Sequence, residues 1–237
     1  MARIMARIRR FLPLAILLLA LAVVFTSGLA DYLSFEQLKQ NRAQLLDSVE
    51  RHPLVAPLVF MAIYAAVIAL SIPGGAVLTV TGGFLFGVGL ATLYVVLAAT
   101  VGASLVFLAA KTALGDSLHQ KAAPWLRRME DGFRENALSY LLFLRLIPLF
   151  PFWLVNLVPA FLGVAFPTYV VATFLGIIPG TLVYASVGNG LGAVFEAGQS
   201  ADLGIIFEPA IILPIIGLAV LALLPVAYRK IRGGQPI

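Results

Sequence analysis

Between Pro53 and Ala110 the chain carries no Asp, Glu, Lys or Arg. A single membrane-spanning helix needs about 20 apolar residues. This run is therefore too long for one span and long enough for two or three membrane segments. The whole chain agrees: it is 61% hydrophobic and 11% charged, where soluble domains are about 25% charged. Those figures describe an integral membrane protein. There is no cysteine, so disulfides, thiol catalysis and cysteine metal sites are excluded. The net charge of +5 does not point to nucleic acid, because the basic residues cluster at segment ends. That placement points to topology and anionic lipid.

Glycine and proline divide the charge-free run. Pro73-Gly74-Gly75 ends a first helix at about residue 71. A short arm, 76–87, is too short to cross alone at ~1.5 Å per residue. A full span follows from about Val88 to Ala110, ending at Lys111, with Gly115 as the expected helix stop.

The stretch Leu141 to Gly163 reads LLFLRLIPLFPFWLVNLVPAFLG. It is apolar and aromatic except for Arg145 and Asn156. A charge in such a run costs ~3 to ~15 kcal/mol unless it is buried in protein or a wet cavity. Pro148, Pro151 and Pro159 exclude one straight helix, since each removes a donor and clashes with the preceding turn. The reading is a second broken, re-entrant hairpin that holds one cation. If the helix starts near Asn136, Arg145 lies nine residues in, or ~14 Å, about half the ~30 Å core.

The remaining segments fall around these two. Residues 1–10 hold four arginines and precede the apolar run Phe11–Phe25. A signal peptide with a small-x-small site at Gly28 and Ala30 fits, and so does a retained span. The membrane character of the rest favours the span, and both readings place residue 31 outside. Residues 31–52 read as an amphipathic surface helix, with Leu38, Leu45, Leu46 and Val49 at helical spacing. Ser34 is its expected N-cap, with Gln37 three residues on. Residues 111–136 read as a second such helix with mixed charge. A span from about Pro167 to Val187, a glycine-rich loop over 188–207, and a last span from about Pro209 to Tyr228 complete the chain. His52 and His119 read as helix-end or surface residues.

The chain repeats itself. Helix 34–51 matches 121–136, and the broken segment 54–87 matches 137–163. Pro73 pairs with Pro148, and Phe84-Leu85-Phe86-Gly87-Val88 pairs with Phe161-Leu162-Gly163-Val164. The span 88–113 matches 166–188. With one crossing and one re-entrant element each, the copies have opposite orientation, a transporter design whose sites lie at broken helices near the midplane. The expected fold is an all-α polytopic membrane protein, an inverted repeat with two re-entrant helical hairpins plus about four transmembrane helices. It divides into an N-terminal helix (1–30), a core (31–207, repeats 34–115 and 121–192) and a C-terminal helix with a basic tail (208–237). With the N-terminus inside, twelve of the 16 basic residues lie in cytoplasmic segments and three outside. This positive-inside bias places both termini in the cytoplasm.

The order Ser71-Ile72-Pro73-Gly74-Gly75, Gly82-Gly83-Phe84, Gly87, Gly102-Ala103, Lys111, Leu114-Gly115, then Leu144-Arg145-Leu146-Ile147-Pro148, Pro151 and Asn156 resembles the DedA superfamily. It is most similar to the VTT-domain branch, also called the SNARE-associated Golgi protein family, over roughly residues 35–230. The resemblance implies two facing re-entrant hairpins and movement of lipids across the membrane. In bacterial members it implies polyprenyl-phosphate recycling and in eukaryotic relatives phospholipid scrambling. The chain departs from the family in two places. Gly75 stands where many members carry an acid, so proton coupling through a membrane carboxylate lacks its acid here. Phe150-Pro151-Phe152-Trp153 stands where many carry a second arginine.

The expected function is thus a lipid flippase or scramblase, with a phosphate head group held by Arg145. The guanidinium keeps its charge and binds phosphate through two parallel hydrogen bonds. Asn156, Pro73, Gly74, Gly75, Pro148, Pro151 and Lys111 are the further candidates for substrate binding. Lys111 also fits a snorkelling span-end residue, and Arg145 also fits a structural cap between hairpins. A proton-coupled small-solute transporter and a non-transporting membrane scaffold are the alternatives. No catalytic constellation, phosphate loop, metal site or cofactor is expected. The partners are membrane lipids, the location is a bacterial plasma membrane, and a homo-oligomer is compatible with the sequence.

Overall fold

The computed structural model describes residues 12, 15–17, 19–24, 26–28, 34–121, 136–147, 150–191 and 207–231. Among the described residues the structure is helical, without strands. Three helices among the described residues are long and apolar enough to cross a membrane: Gly75–Ala113, Phe166–Asn189 and Ile211–Tyr228. The fourth expected crossing corresponds to Ala15–Val24, which on its described residues is shorter. The expected amphipathic helix 121–136 falls almost wholly outside the described residues, as does most of the expected glycine-rich loop 188–207, whose first residues, Gly188 and Asn189, instead end the helix Ile178–Asn189.

Helix α1 (Phe35–Arg51) starts as expected, with the Ser34 side chain accepting from the Gln37 amide. Leu38 on its inner face is buried, and an exposed Arg51–Asp47 pair at 2.8 Å spans one turn of its outer face. The His52 amide donates to the Ser48 carbonyl, and Pro53 follows, which cannot donate.

Helix α2 (Val55–Ala69) ends in a hydrogen-bonded cap. The Ser71 amide donates to the Ile68 carbonyl and the Ile72 amide to that of Val67. This is the paired 5→2 and 6→1 closure of a helix C-terminus. It requires a left-handed residue at position 71, and Ser71 has φ 54°. Pro73 and Gly74 (φ 139°) then turn the chain into α3 (Gly75–Lys121). Gly87, with φ 73° and ψ 170°, interrupts α3, leaving a short arm over 75–86 and a long helix over 88–121. Gly115 does not stop this helix. One interior glycine costs only about 1 kcal/mol, too little to end a helix without a left-handed turn.

The second half follows the same order. Helix α4 (Asn136–Leu146) is followed by a break and by α5 (Phe152–Phe161). The Val164 amide donates to the Pro159 carbonyl, and Gly163 at φ 70° makes the same kind of left-handed closure. Helices α6 (Phe166–Gly176) and α7 (Ile178–Asn189) then run on, divided at Ile177. Both halves thus read helix, break, short arm, positive-φ glycine, long helix, with Gly87 and Gly163 at the positions the sequence pairs.

Helix α3 is the hub, packing chiefly on α7, then on α2 and α5. Its arm meets α7 backbone to backbone: a Cβ on Gly83 would overlap the Ala185 carbonyl, and one on Gly188 that of Val80. Gly102 does the same for α2, where a Cβ would lie 2.8 Å from Ile68 Cβ. Small residues let apolar helices approach where there is no water to drive them together. Hydroxyls in these helices bond back along their own helix, as Thr81 does to Val77 and Thr100 to Val96. This disposes of their polarity without a partner. Helix α8 (Pro209–Ile231) is largely exposed, burying Ile215 and Ala219.

Candidate functional site

Arg145 is the penultimate residue of α4, and its stem lies on Gly176 of α6. A Cβ on Gly176 would stand 2.6 Å from Arg145 Cβ, so the absence of a side chain at 176 lets α4 and α6 meet there. Arg145 Nη2 donates to the Tyr169 hydroxyl at 3.0 Å and to Thr173 Oγ1 at 2.9 Å. Tyr169 and Thr173 are four residues apart on α6 and present one face to the guanidinium. The Thr173 hydroxyl donates its own proton to the Tyr169 carbonyl at 2.7 Å, which leaves its oxygen free to accept. The Tyr169 hydroxyl in turn reaches Asn156 Oδ1 at 3.0 Å and the Ala103 carbonyl at 3.2 Å. Its single proton serves one of these at a time.

Aromatic rings enclose the charge. The guanidinium carbon lies 5.1 Å from the Phe152 ring centroid and 5.4 Å from that of Tyr169, within cation–π range. Tyr169 stacks on Phe107 with centroids 4.3 Å apart. Phe107, Tyr169, Asn156 and Thr173 are all fully buried. Four segments therefore converge on one polar knot: α4 by Arg145, α5 by Phe152 and Asn156, α6 by Tyr169 and Thr173, and the long part of α3 by Phe107 and Ala103.

The knot is short of acceptors. Arg145 Nε and Nη1 and Asn156 Nδ2 are buried and bond to nothing among the described residues. No described carboxylate pairs with Arg145, the ion pair seen being Arg51–Asp47. Each unmatched buried donor costs about 1–3 kcal/mol, and more on a charged group. Among the described residues no cluster of His, Cys, Asp or Glu fit for a metal occurs.

Residues 72–190, half of the chain, match the model of the VTT domain. The chain belongs to the VTT-domain family. It is 32% identical over 175 residues to Transmembrane protein 41B of Homo sapiens, covering 72% of this chain and 58% of that one. It is 33% identical over 175 residues to the Transmembrane protein 41 homolog of Dictyostelium discoideum, covering 72% and 50% respectively. The chain thus spans between half and three-fifths of the length of these relatives. No solved structure matches.

The expected site residues of this VTT domain do not all meet. Arg145 and Asn156 do, joined through the Tyr169 hydroxyl. Pro151 is the N-cap of α5 and so sets where Phe152 enters. Pro148 lies outside the described residues. Pro73 and Gly74 form the turn before α3, and Gly75 belongs to a separate polar cluster, in which the Thr79 hydroxyl and Tyr64 reach its carbonyl at 2.7 and 3.4 Å. No described hydrogen bond or ring contact joins that cluster to Arg145. Lys111 is exposed with Nζ 5.6 Å from the Phe107 centroid, at the outer end of the aromatic stack and not on the guanidinium. Tyr169, Thr173 and Phe152 escape a reading of the sequence. The signal for two of them is present, a Tyr and a Thr one turn apart on an apolar helix that ends in Gly176.

Proposed function

We propose that this VTT-domain protein moves phosphate-bearing lipids, a phospholipid or a polyprenyl phosphate, across the bilayer, with Arg145 receiving the phosphate. The observation that carries this reading is the set of three buried donors without acceptors: Arg145 Nε and Nη1, and Asn156 Nδ2. A phosphate brings the oxygens these groups lack, and a charge opposite to the unpaired guanidinium. Phe152 covers the guanidinium, so access requires α5 to swing aside. Pro151, the N-cap of α5, and the turn at Gly163 flank the helix and are its natural pivots.

The topology follows the same reading. The arms of 75–86 and of α5 are about 18 and 15 Å long at ~1.5 Å per residue, too short for a ~30 Å core. Each arm re-enters on its own side, the two halves lie in opposite orientation, and both termini face the cytoplasm of a plasma membrane. The process is transport without a chemical step. No described carboxylate pairs with Arg145, and this reading invokes no coupling to protons.

The test is transbilayer movement of a labelled phospholipid and of a labelled polyprenyl phosphate in proteoliposomes of the purified chain. We expect movement of at least one, and its loss with Arg145→Ala. Absence of movement of any phosphate lipid overturns the reading. The second reading, a scaffold in which Arg145 only ties α4 to α6, is favoured by the Nη2 bonds to Tyr169 and Thr173. It predicts that Arg145→Ala lowers the unfolding temperature and leaves movement intact.

A further inference from the structure

A cavity of about 810 Å³ lies between α1 and the first broken helix, away from Arg145. That volume is within the range of small-molecule sites, roughly 300–1,000 Å³. Its wall is apolar, built from α2 by Val59, Ile63 and Val67 and from the α3 arm by Leu78, Leu85 and Phe86. Val59 and Ile63 remain about half exposed, at 51% and 48%, so the cavity is open along the side of α2. Its other edge is the inner face of α1, where Gln37, Asn41, Ser48 and His52 recur at helical spacing. None of the described lining residues is Asp, Glu, Lys or Arg. Helix α1 does carry charges, but Glu36, Asp47 and Glu50 balance Lys39, Arg42 and Arg51, and all six stand off the cavity.

The edge retains hydrogen-bonding capacity. Asn41 Nδ2 donates to the Gln37 carbonyl at 2.9 Å and to Gln37 Oε1 at 3.2 Å. Gln37 Nε2 and Asn41 Oδ1 have no bond among the described residues, which leaves one donor and one acceptor side by side. An apolar trough with a neutral donor–acceptor edge matches a molecule with a hydrocarbon tail and a head that both donates and accepts without net charge.

We propose that this cavity seats one zwitterionic glycerolipid of the phosphatidylethanolamine kind. Its tail lies along α2 and the α3 arm, and its head lies against Gln37 and Asn41. An anionic lipid would bring a net charge to a described lining that holds no basic partner for it, a cost that a head group with no net charge avoids, so the seat discriminates against it. The bound lipid fills the space between α1 and the core and fixes the distance of α1 from the hairpin. The seat does not involve Arg145 and stands or falls separately from the transport reading.

The test is native mass spectrometry of the full-length chain purified in detergent and given palmitoyl-oleoyl phosphatidylethanolamine or its phosphatidylglycerol counterpart at equal concentration. The expected result is one retained phosphatidylethanolamine per chain, favoured about tenfold, equivalent to ~1.4 kcal/mol. Val59→Trp and Ile63→Trp fill the trough from its exposed side and should abolish retention, with circular dichroism unchanged. Gln37→Leu with Asn41→Leu should keep a lipid bound and lose the preference for phosphatidylethanolamine. All of these measurements are made in the Arg145→Ala chain, which removes the phosphate site of the transport reading, so that retention reads this seat alone. Equal retention of phosphatidylglycerol, or retention that survives both tryptophans, overturns the proposal. So does a Val59→Cys disulfide between two chains, since a second copy would then occupy the trough.

Discussion

Gly176 leaves open the space that Arg145 occupies: a Cβ at 176 would stand 2.6 Å from Arg145 Cβ, nearer than real Cβ contacts come. The neighbour is the root of a side chain whose far end is held by Tyr169 and Thr173, so it has little freedom to shift. Gly176→Ala should separate α4 from α6 and break the bonds from Nη2. The expected outcome is an unfolding temperature lowered by several degrees, from a strain of about 1–3 kcal/mol, together with loss of lipid movement. Gly217→Ala in α8 is the control, since a Cβ there meets nothing within 4 Å. If both variants melt alike, the close approach at 176 is not needed.

The two helix closures make predictions of opposite sign. Gly163 at φ 70° and Ser71 at φ 54° both occupy left-handed turn positions. A side chain there costs roughly 1–2 kcal/mol. Gly163→Ala should therefore lower stability in detergent by about that amount, and Ser71→Gly should raise it. Thermal unfolding followed by circular dichroism reads both. A loss of stability with Ser71→Gly would show that the serine side chain contributes more than its backbone strain costs.

The same residues show what the sequence could and could not reveal. Breaks, arms and the pairing of Gly87 with Gly163 were legible because proline and glycine act through local backbone geometry, independent of what packs nearby. Arg145 was legible because its charge interrupts an apolar run. Its partners were not, because Tyr169 and Thr173 lie 24 and 28 residues away and only tertiary packing brings them together. Pro73 to Gly75 looked equivalent to the second break by sequence. In the structure the Gly75 carbonyl is taken up by Thr79 and Tyr64 within its own hairpin, and nothing in a pattern of small residues signals that. Gly115 failed as a stop because a helix end needs a reversed backbone as well as a flexible residue.

Tyr169 links the guanidinium to Asn156, and its ring and hydroxyl make separable contributions. Tyr169→Phe keeps the stack on Phe107 and removes only the oxygen. Arg145 then loses one of its two Nη2 acceptors, and Asn156 Oδ1 loses its donor. An unfolding penalty of about 1–3 kcal/mol is expected. Lipid movement should fall without vanishing, because Thr173 still orients the guanidinium. Movement in Tyr169→Phe equal to that of the unaltered protein would remove the hydroxyl from the account.

Asn156→Asp separates the transport and scaffold readings of Arg145 most sharply. The two side chains have the same shape. The aspartate brings a charge within one bridging hydroxyl of the guanidinium, with Tyr169 at 3.0 Å from both Arg145 Nη2 and Asn156 Oδ1. It removes the unmatched Nδ2 and supplies acceptors to a cation that has none with negative charge. A buried charge left without a partner is the costly case, and pairing it recovers several kcal/mol. The variant should therefore unfold at a higher temperature than the unaltered protein. If Arg145 exists to receive a phosphate, the aspartate competes for the same donors, and lipid movement in proteoliposomes should drop by an order of magnitude or more. If Arg145 is only a tie between helices, the variant gains stability and movement is unchanged. A variant that is both more stable and fully active would assign the guanidinium to structure and place lipid recognition elsewhere.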